Sequence, residues 1–322
     1  RDAHCLPFDQ NENKETVVFP AIHWFSVMPS TSTSLSPLST GLARATAGLN
    51  LCHENAAEVW HQRPPLDFLQ IHPEHLIQEE GGTYRDQLDD LRHAYPIVLH
   101  GFGLSLGSCA PLDQDYLQFV KRVLKEHPEA FFSDHVSWSS LSNHHFHDLL
   151  PLLMNDETLD YLVERVDQAQ ELIGQPILLE NISSYMRFRD STYDEPSFIN
   201  ALTKRTGAYV LMDVNNLWAN AVNFGENPLT QLMDYRQSSV RGYHLAGCTR
   251  QQAGDGDVYI DYHGEAVHEA VWDLYEKALR HFGPWPTLLE WESHVPPLER
   301  TLQEVSRITR CLNDLSVAQG AT

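Results

Sequence analysis

The residues best suited to chemistry in this chain are acids, histidines and asparagines that close short apolar runs. ILLEN ends in Glu180 and Asn181, VLMDVNN carries Asp213 and Asn216, GYHLAG carries His244, and YIDYH carries Asp261 and His263. IVLHG adds His100, FFSDH adds Asp134 and His135, and TLLEWE adds Glu290. Imidazole nitrogen mixed with carboxylate oxygen is the donor set of iron, zinc and manganese sites. A carboxylate at the end of a buried run is costly unless it is paired or bound to a metal. The candidates outnumber the roughly four to six ligands of one ion and suit two or three ions sharing bridging carboxylates. Each residue alone has a plainer explanation. A strand-end acid is commonly a helix cap or ion-pair partner, and a lone histidine is commonly a satisfied core residue. Recurrence at so many run ends favours a metal-binding rim.

Spacing adds detail. Asp213 and Asn216 stand three apart on the turn leaving their run, and Asp261 and His263 stand two apart, on one face of an extended segment. His53, in LNLCHEN, is an additional ligand candidate. His72, Glu74 and His75 in IHPEH are set aside, because only some of them could reach a common centre. His144, His145 and His147 read as a solvated loop cluster. Ser137, Trp138 and Tyr185 are candidates for lining a substrate pocket, with packing the default for the aromatics. GFGLSLGS (101–108) resembles a phosphate-cradling loop but lacks the Lys-Ser/Thr ending.

Positioning such a rim requires many strands ending on one side. Eight strands are expected at 46–51, 66–71, 96–101, 130–135, 176–181, 208–214, 242–247 and 286–291. Most are continuous apolar runs, as in parallel strands buried on both faces. Amphipathic helices are expected between them at 113–127, 159–173, 196–206 and 267–282, with Asp113 as an N-cap and Gly207 and Gly283 as C-terminal stops. This alternation predicts an α/β fold, a (β/α)₈ TIM barrel occupying 46–322 as a single catalytic domain, with its site at the C-terminal strand ends. An open doubly wound sheet is the runner-up, disfavoured by the eight strands and the absence of a GxGxxG turn.

Bulk properties narrow the function. The 322 residues carry a formal net charge of −22 and are 42% hydrophobic, with a mean hydropathy of −0.36. The acidic excess argues against a nucleic-acid partner. No apolar run has the roughly 20 residues of a membrane span. Five cysteines without a CxxC pair point to a reducing cytoplasm rather than a disulfide framework. Residues 1–45 read as an N-terminal extension, partly disordered, with a Ser/Thr/Pro-rich linker at 29–40. The apolar stretch 17–29 has the length of a signal-peptide core but follows an acidic segment of the wrong charge.

The segments SDHVSWSS, HDLLPL, ILLENISSYMRF, LMDVNNLWANAVNFGENP, YHLAG, IDYHGEAVHEAVWDLYEKAL and PTLLEWE together resemble the multinuclear non-haem iron-dependent oxidases. That family includes the methanobactin-biosynthesis oxidase and the thiaglutamate-pathway enzyme, and the likeness spans about residues 46–310. It implies a xylose-isomerase-like barrel with two or three irons of mixed Fe2+/Fe3+ state and O2 as co-substrate. It also implies oxidative modification of a ribosomally made, leader-bearing precursor peptide, commonly at cysteine, and a partner protein that recognises the leader. The ligands it implies are His53, His100, Asp134, Glu180, Asp213, Asn216, His244, Asp261, His263 and Glu290. His135, Asp134 and Asn216 are taken as the catalytic group, with His135 moving protons. Cys248 stands where the family often has histidine, and Gln70 where it often has glutamate. Asn216 also replaces the histidine of a DxxH pair seen in tri-metal endonuclease barrels. Two other classes compete: a divalent-metal hydrolase or isomerase on the same barrel, and a metal-binding scaffold without turnover.

Overall fold

All eight expected runs form strands, and they close on one another in parallel. The computed structural model describes residues 42, 44–78, 81–141, 144–254 and 256–320. Along the chain come β1 (Ala47–Asn50), α1 (His53–Gln62), β2 (Phe68–Ile71), α2 (Pro73–Gln78), α3 (Thr83–Ala94), β3 (Ile97–His100), α4 (Gln114–Glu126) and β4 (Phe132–His135). A hairpin of β5 (Trp138–Leu141) and β6 (His144–Leu150) precedes α5 (Asp156–Ile173), β7 (Leu178–Glu180), α6 (Glu195–Thr206), β8 (Tyr209–Asp213), α7 (Val214–Asn223), α8 (Pro228–Asp234) and β9 (Val240–Leu245). A second hairpin, β10 (Thr249–Ala253) and β11 (Gly256–Ile260), precedes α9 (Glu269–Phe282), β12 (Thr287–Leu289) and α10 (Leu298–Gly320). The barrel closes in the order β1-β12-β9-β8-β7-β4-β3-β2.

Successive side chains in a strand point to opposite faces, so every second residue faces the barrel interior. Phe68, Val98, Phe131, Leu178, Leu211 and Leu288 pack together in one buried cluster at the lower end of the interior. Two residues further along the same strands stand Gln70, His100, Ser133, Glu180, Asp213 and Glu290, all buried. An apolar floor thus carries a polar layer directly above it. The floor is tight. A Cβ at Gly48 would meet the Phe68 ring at 2.5 Å, and one at Gly242 would meet Leu211 at 2.9 Å. Leu42 joins the floor cluster at 6% exposure, and Arg44 stacks on Trp285 at 4.2 Å. Most of the extension expected at 1–45 lies outside the described residues, but these two side chains pack on the barrel.

The helices form where amphipathic stripes and caps coincide. Asp113 caps α4 by accepting from the Asp115 and Tyr116 amides, and Asp194 caps α6 by accepting from Ser197. Gly207 ends α6 at φ 72. Two local expectations change. The 144–147 segment is β6, a hairpin strand, rather than a loop. The YIDYH run is not a barrel strand: its first two residues end β11, and Asp261 and His263 lie beyond it, His263 at φ 47. The 101–108 loop is held by the first hairpin, with Ser105 Oγ accepting from the Ser139 and Ser140 amides. That role is structural.

Candidate metal centre

The polar layer converges at the C-terminal ends of the strands. Ligand-capable atoms of His100, Glu180 and His244 lie within 4.8 Å of one another, and so do those of Glu180, Asp213, His244 and Glu290. Glu180 is central: Oε2 lies 3.1 Å from His100 and 3.3 Å from His135, and Oε1 lies 3.0 Å from His244. His244 reaches Glu290 at 3.2 Å. Beside this core, His263 lies 2.8 Å from Asp261 and 3.5 Å from both Glu290 and Glu292. A cavity of about 510 Å³ opens onto the cluster, with Phe102, Tyr185 and Tyr262 at its wall.

Many of these atoms are near one another without bonding to one another. Glu180 Oε2, Asp213 Oδ2 and Asn216 Oδ1 are buried and have no hydrogen-bond partner. An orphaned buried acceptor costs about 1–3 kcal/mol, and several in one cluster call for a cation at their common focus. The donor set, imidazole and carboxylate, fits metal binding.

The electrostatics agree. Burial, together with His135, His244, His72 and His263, holds the His100 pKa well below the usual histidine value, leaving a neutral imidazole suited to ligation. Burial opposes protonation of His244, but Glu290 and Glu180 outweigh it and hold the pKa well above the ordinary value. His263 behaves likewise beside Asp261. His135 is raised to about 9 against burial, by Glu180 and Asp134. Burial and the neighbouring Asp261 and Glu180 push Asp213 well above the carboxylate range. Without metal, protons balance the carboxylates, and metal entry displaces them.

The structure brings together His100, Glu180, Asp213, His244 and Glu290, with Asp261, His263, His135 and Asn216 around them. Asp134 and His53 stand apart from those clusters, with His53 at the wall of the same cavity. In β4, Phe131, Ser133 and His135 face inward, so Asp134 faces away. Its Oδ2 accepts from the Leu104 amide and its Oδ1 from the His135 amide. Asp134 therefore positions His135 and the loop after β3 rather than offering a free ligand atom. His53 opens α1, is exposed, and stacks on Tyr84 at 3.7 Å.

Asn216 donates from Nδ2 to the Asn181 carbonyl, and its amide donates to Asp213 Oδ1. Asn181 grips the end of β8 at both the amide and the carbonyl of Asp213. Gln70 donates to Glu290 Oε1 at 2.6 Å, where a second carboxylate would repel it. Sequence reasoning missed Glu292 and set aside His72 and His75; Glu292 and His72 approach to 3.2 Å, and His75 lines the cavity. The second acid of TLLEWE, two residues past Glu290, was the available signal for Glu292.

A closed parallel barrel with a buried His-carboxylate cluster above an apolar floor defines a TIM-barrel protein with a candidate metal-binding cluster at its strand ends. Its strand ends and loops also match a known family along their length. The sequence profile of the RiPP precursor modification enzyme MbnB/TglH/ChrH, where RiPP denotes a ribosomally synthesised and post-translationally modified peptide, fits residues 46–313, and the chain belongs to that family. A UPF0276 protein of Bordetella pertussis is 42% identical over 269 residues, 83% of this chain and 93% of that protein. A UPF0276 protein of Acaryochloris marina is 36% identical over 261 residues, 81% of this chain and 92% of that protein.

Among solved structures, a xylose isomerase-like TIM barrel protein from Mycobacterium smegmatis in complex with magnesium aligns at TM-score 0.54 and 12% identity, covering 84% of this chain and 99% of that one. A xylose isomerase domain protein from Alicyclobacillus acidocaldarius aligns at TM-score 0.52 and 13% identity, covering 82% and 99%. At such identity these likenesses establish the xylose-isomerase-like fold alone. No helix among the described residues is long and apolar enough to cross a membrane, and the described cysteines, Cys52, Cys109, Cys248 and Cys311, are all free thiols.

Proposed function

We propose that this chain is a multinuclear non-haem iron, O2-dependent oxidase that modifies a ribosomally synthesised precursor peptide at cysteine in the cytoplasm. A leader-recognising partner protein delivers the peptide. The observation that carries this reading is the convergence of more buried donor atoms than one ion can use, several of them without partners. Membership of a peptide-modifying family supports the substrate class, and the four free thiols support a reducing compartment.

His100, Glu180 and His244 would hold one ion. Glu180, Asp213 and Glu290 would hold a second, sharing only the Glu180 carboxylate with the first. Asp261 and His263, beside Glu290 and Glu292, are the donors for a third. Iron bound there supplies the one-electron and dioxygen chemistry that protein side chains lack.

The remaining work belongs to the chain. His135 lines the cavity beside Glu180 and is placed to move a proton at its Nε2. Asp134 fixes the backbone at His135. Asn216 offers a buried carbonyl oxygen, Oδ1, to a metal or to substrate. The aromatic wall of Phe102, Tyr185 and Tyr262 limits water and flanks the incoming peptide.

The test is a product assay. Iron-loaded protein is incubated with a Cys-containing candidate precursor peptide, with and without O2, and the peptide is weighed by mass spectrometry. A mass change that requires both iron and O2 is expected. A mass change that persists without O2 would replace this reading with a divalent-metal hydrolase, and a chromatographically distinct product of unchanged mass would replace it with an isomerase. Tight metal binding without any product would leave a metal-binding scaffold.

A further inference from the structure

A second cavity of about 710 Å³ lies on the other side of the segment leaving β7. Ile182 lines both cavities, and the side chains that follow divide between them. Ser183 and Tyr185 face the metal cavity, whereas Ser184 and Met186 face the second one. The segment is held in place by Asn220, which accepts from the Ser184 amide and donates to the Ile182 carbonyl. It is thus a fixed ridge one chain wide between two hollows. The volume is typical of cavities that enclose ligands, about 300–1,000 Å³.

The lining of the second cavity is apolar and acidic. Met186 and Phe188 are 57% and 40% exposed on the ridge side. Asp194, Glu195, Glu226 and Asp234 lie around the remaining wall, with Arg187 the cation among the lining residues. Arg187 is already engaged: its guanidinium donates to both oxygens of Glu226 and stacks on Phe224 at 3.9 Å. Asp194, Glu195 and Asp234 have no salt bridge to a cation among the described residues. The cavity therefore offers apolar surface for a side chain and net negative charge for a cationic one.

We propose that this cavity is a subsite for the peptide substrate. It would take a segment beside the modified residue that carries an apolar side chain next to an arginine or lysine. The inference rests on the proposed peptide-modifying function and adds the chemistry of the flanking residues. An extended peptide advances about 3.3 Å per residue, so a few residues carry it from one hollow to the other across a ridge one chain wide. The modified residue then sits over the metal cluster while its neighbours occupy the second cavity.

The test is an anaerobic binding measurement on the full-length, iron-loaded protein, so that no turnover intervenes. Two fluorescein-labelled peptides are compared by anisotropy, Arg-Leu-Gly-Cys-Gly-Leu-Arg and the same sequence with glutamates for the arginines. The arginine peptide should bind about tenfold or more tightly. Asp234→Asn and Glu195→Gln should each reduce that preference about threefold, as loss of a partly exposed charge pair does. Thr230→Trp, at an exposed position on the cavity wall, should weaken the arginine peptide about tenfold by filling the space.

Equal binding of the two peptides, or a preference untouched by all three variants, overturns the proposal. So does a change of oligomeric state in Thr230→Trp without a change in peptide binding, which would make the face an interface between copies. The two readings fail separately. Precursor modification without any charge preference removes the subsite alone, and charge-selective binding without iron- and O2-dependent product removes the oxidase alone.

Discussion

At the residue scale, Glu180 is the pivot, because it alone approaches His100, His135 and His244. Glu180→Gln keeps the volume but removes the bridging charge. It should reduce bound iron from about two or three per chain to about one or fewer, since bridging carboxylates hold the ions together. Elemental analysis reads the loss, and an unchanged far-UV circular dichroism spectrum separates it from misfolding. Asp134→Asn tests a positioning role. It should lower kcat about ten- to a hundredfold, the usual effect of losing a group that orients a metal-site residue, with iron content retained. Loss of iron in that variant would make Asp134 a ligand after all. The buried acids and histidines were legible in the sequence because a charged group ending an apolar run demands an explanation. In β4 adjacent residues face opposite ways, so an inward His135 turns Asp134 aside, a distinction that the apolar run alone does not carry. His72 was set aside and Glu292 was missed because the loops after β2 and β12 bring them in, where no strand periodicity applies.

At the element scale, the eight strands and the main helices were legible because parallel strands buried on both faces are continuous apolar runs. The hairpins were not. TRQQA and GDVYI are exposed or half-exposed along their length, so neither an apolar run nor clean alternation marks them. The YIDYH residues consequently looked like a site strand when they form the exit of a hairpin. The lower boundary of the fold was also hard to read, because Leu42 follows a Ser/Pro-rich stretch and its burial depends on six residues distant in sequence. Leu42→Ala should destabilise the barrel by about 2–3 kcal/mol, the cost of emptying a closed apolar site, as read by denaturant unfolding. No change would place Leu42 outside the cooperative unit.

At the scale of the whole molecule, an apolar floor lies beneath a face rich in buried acids, and burying those acids has a cost in stability. Glu195 illustrates the cost. Burial raises its pKa from 4.5 to about 7, with Arg187 and the Tyr235 hydroxyl opposing the rise and Asp194 and Glu226 adding to it. Below about pH 4.5 the side chain is protonated in both folded and unfolded chains and has no net effect. As pH rises to about 7, the unfolded chain ionises first, so stability is lost across that window. Glu195→Gln should therefore raise Tm at pH 8 and leave it unchanged near pH 4.5, and a pH-independent difference would contradict the assignment. The variant used to test the subsite is thus expected to fold at least as well as the parent. The most direct check on the central claim is the metal content of anaerobically purified protein, measured by inductively coupled plasma mass spectrometry. About two to three irons per chain are predicted, as a shared-carboxylate cluster requires. Stoichiometric zinc, with activity independent of iron, would contradict the account.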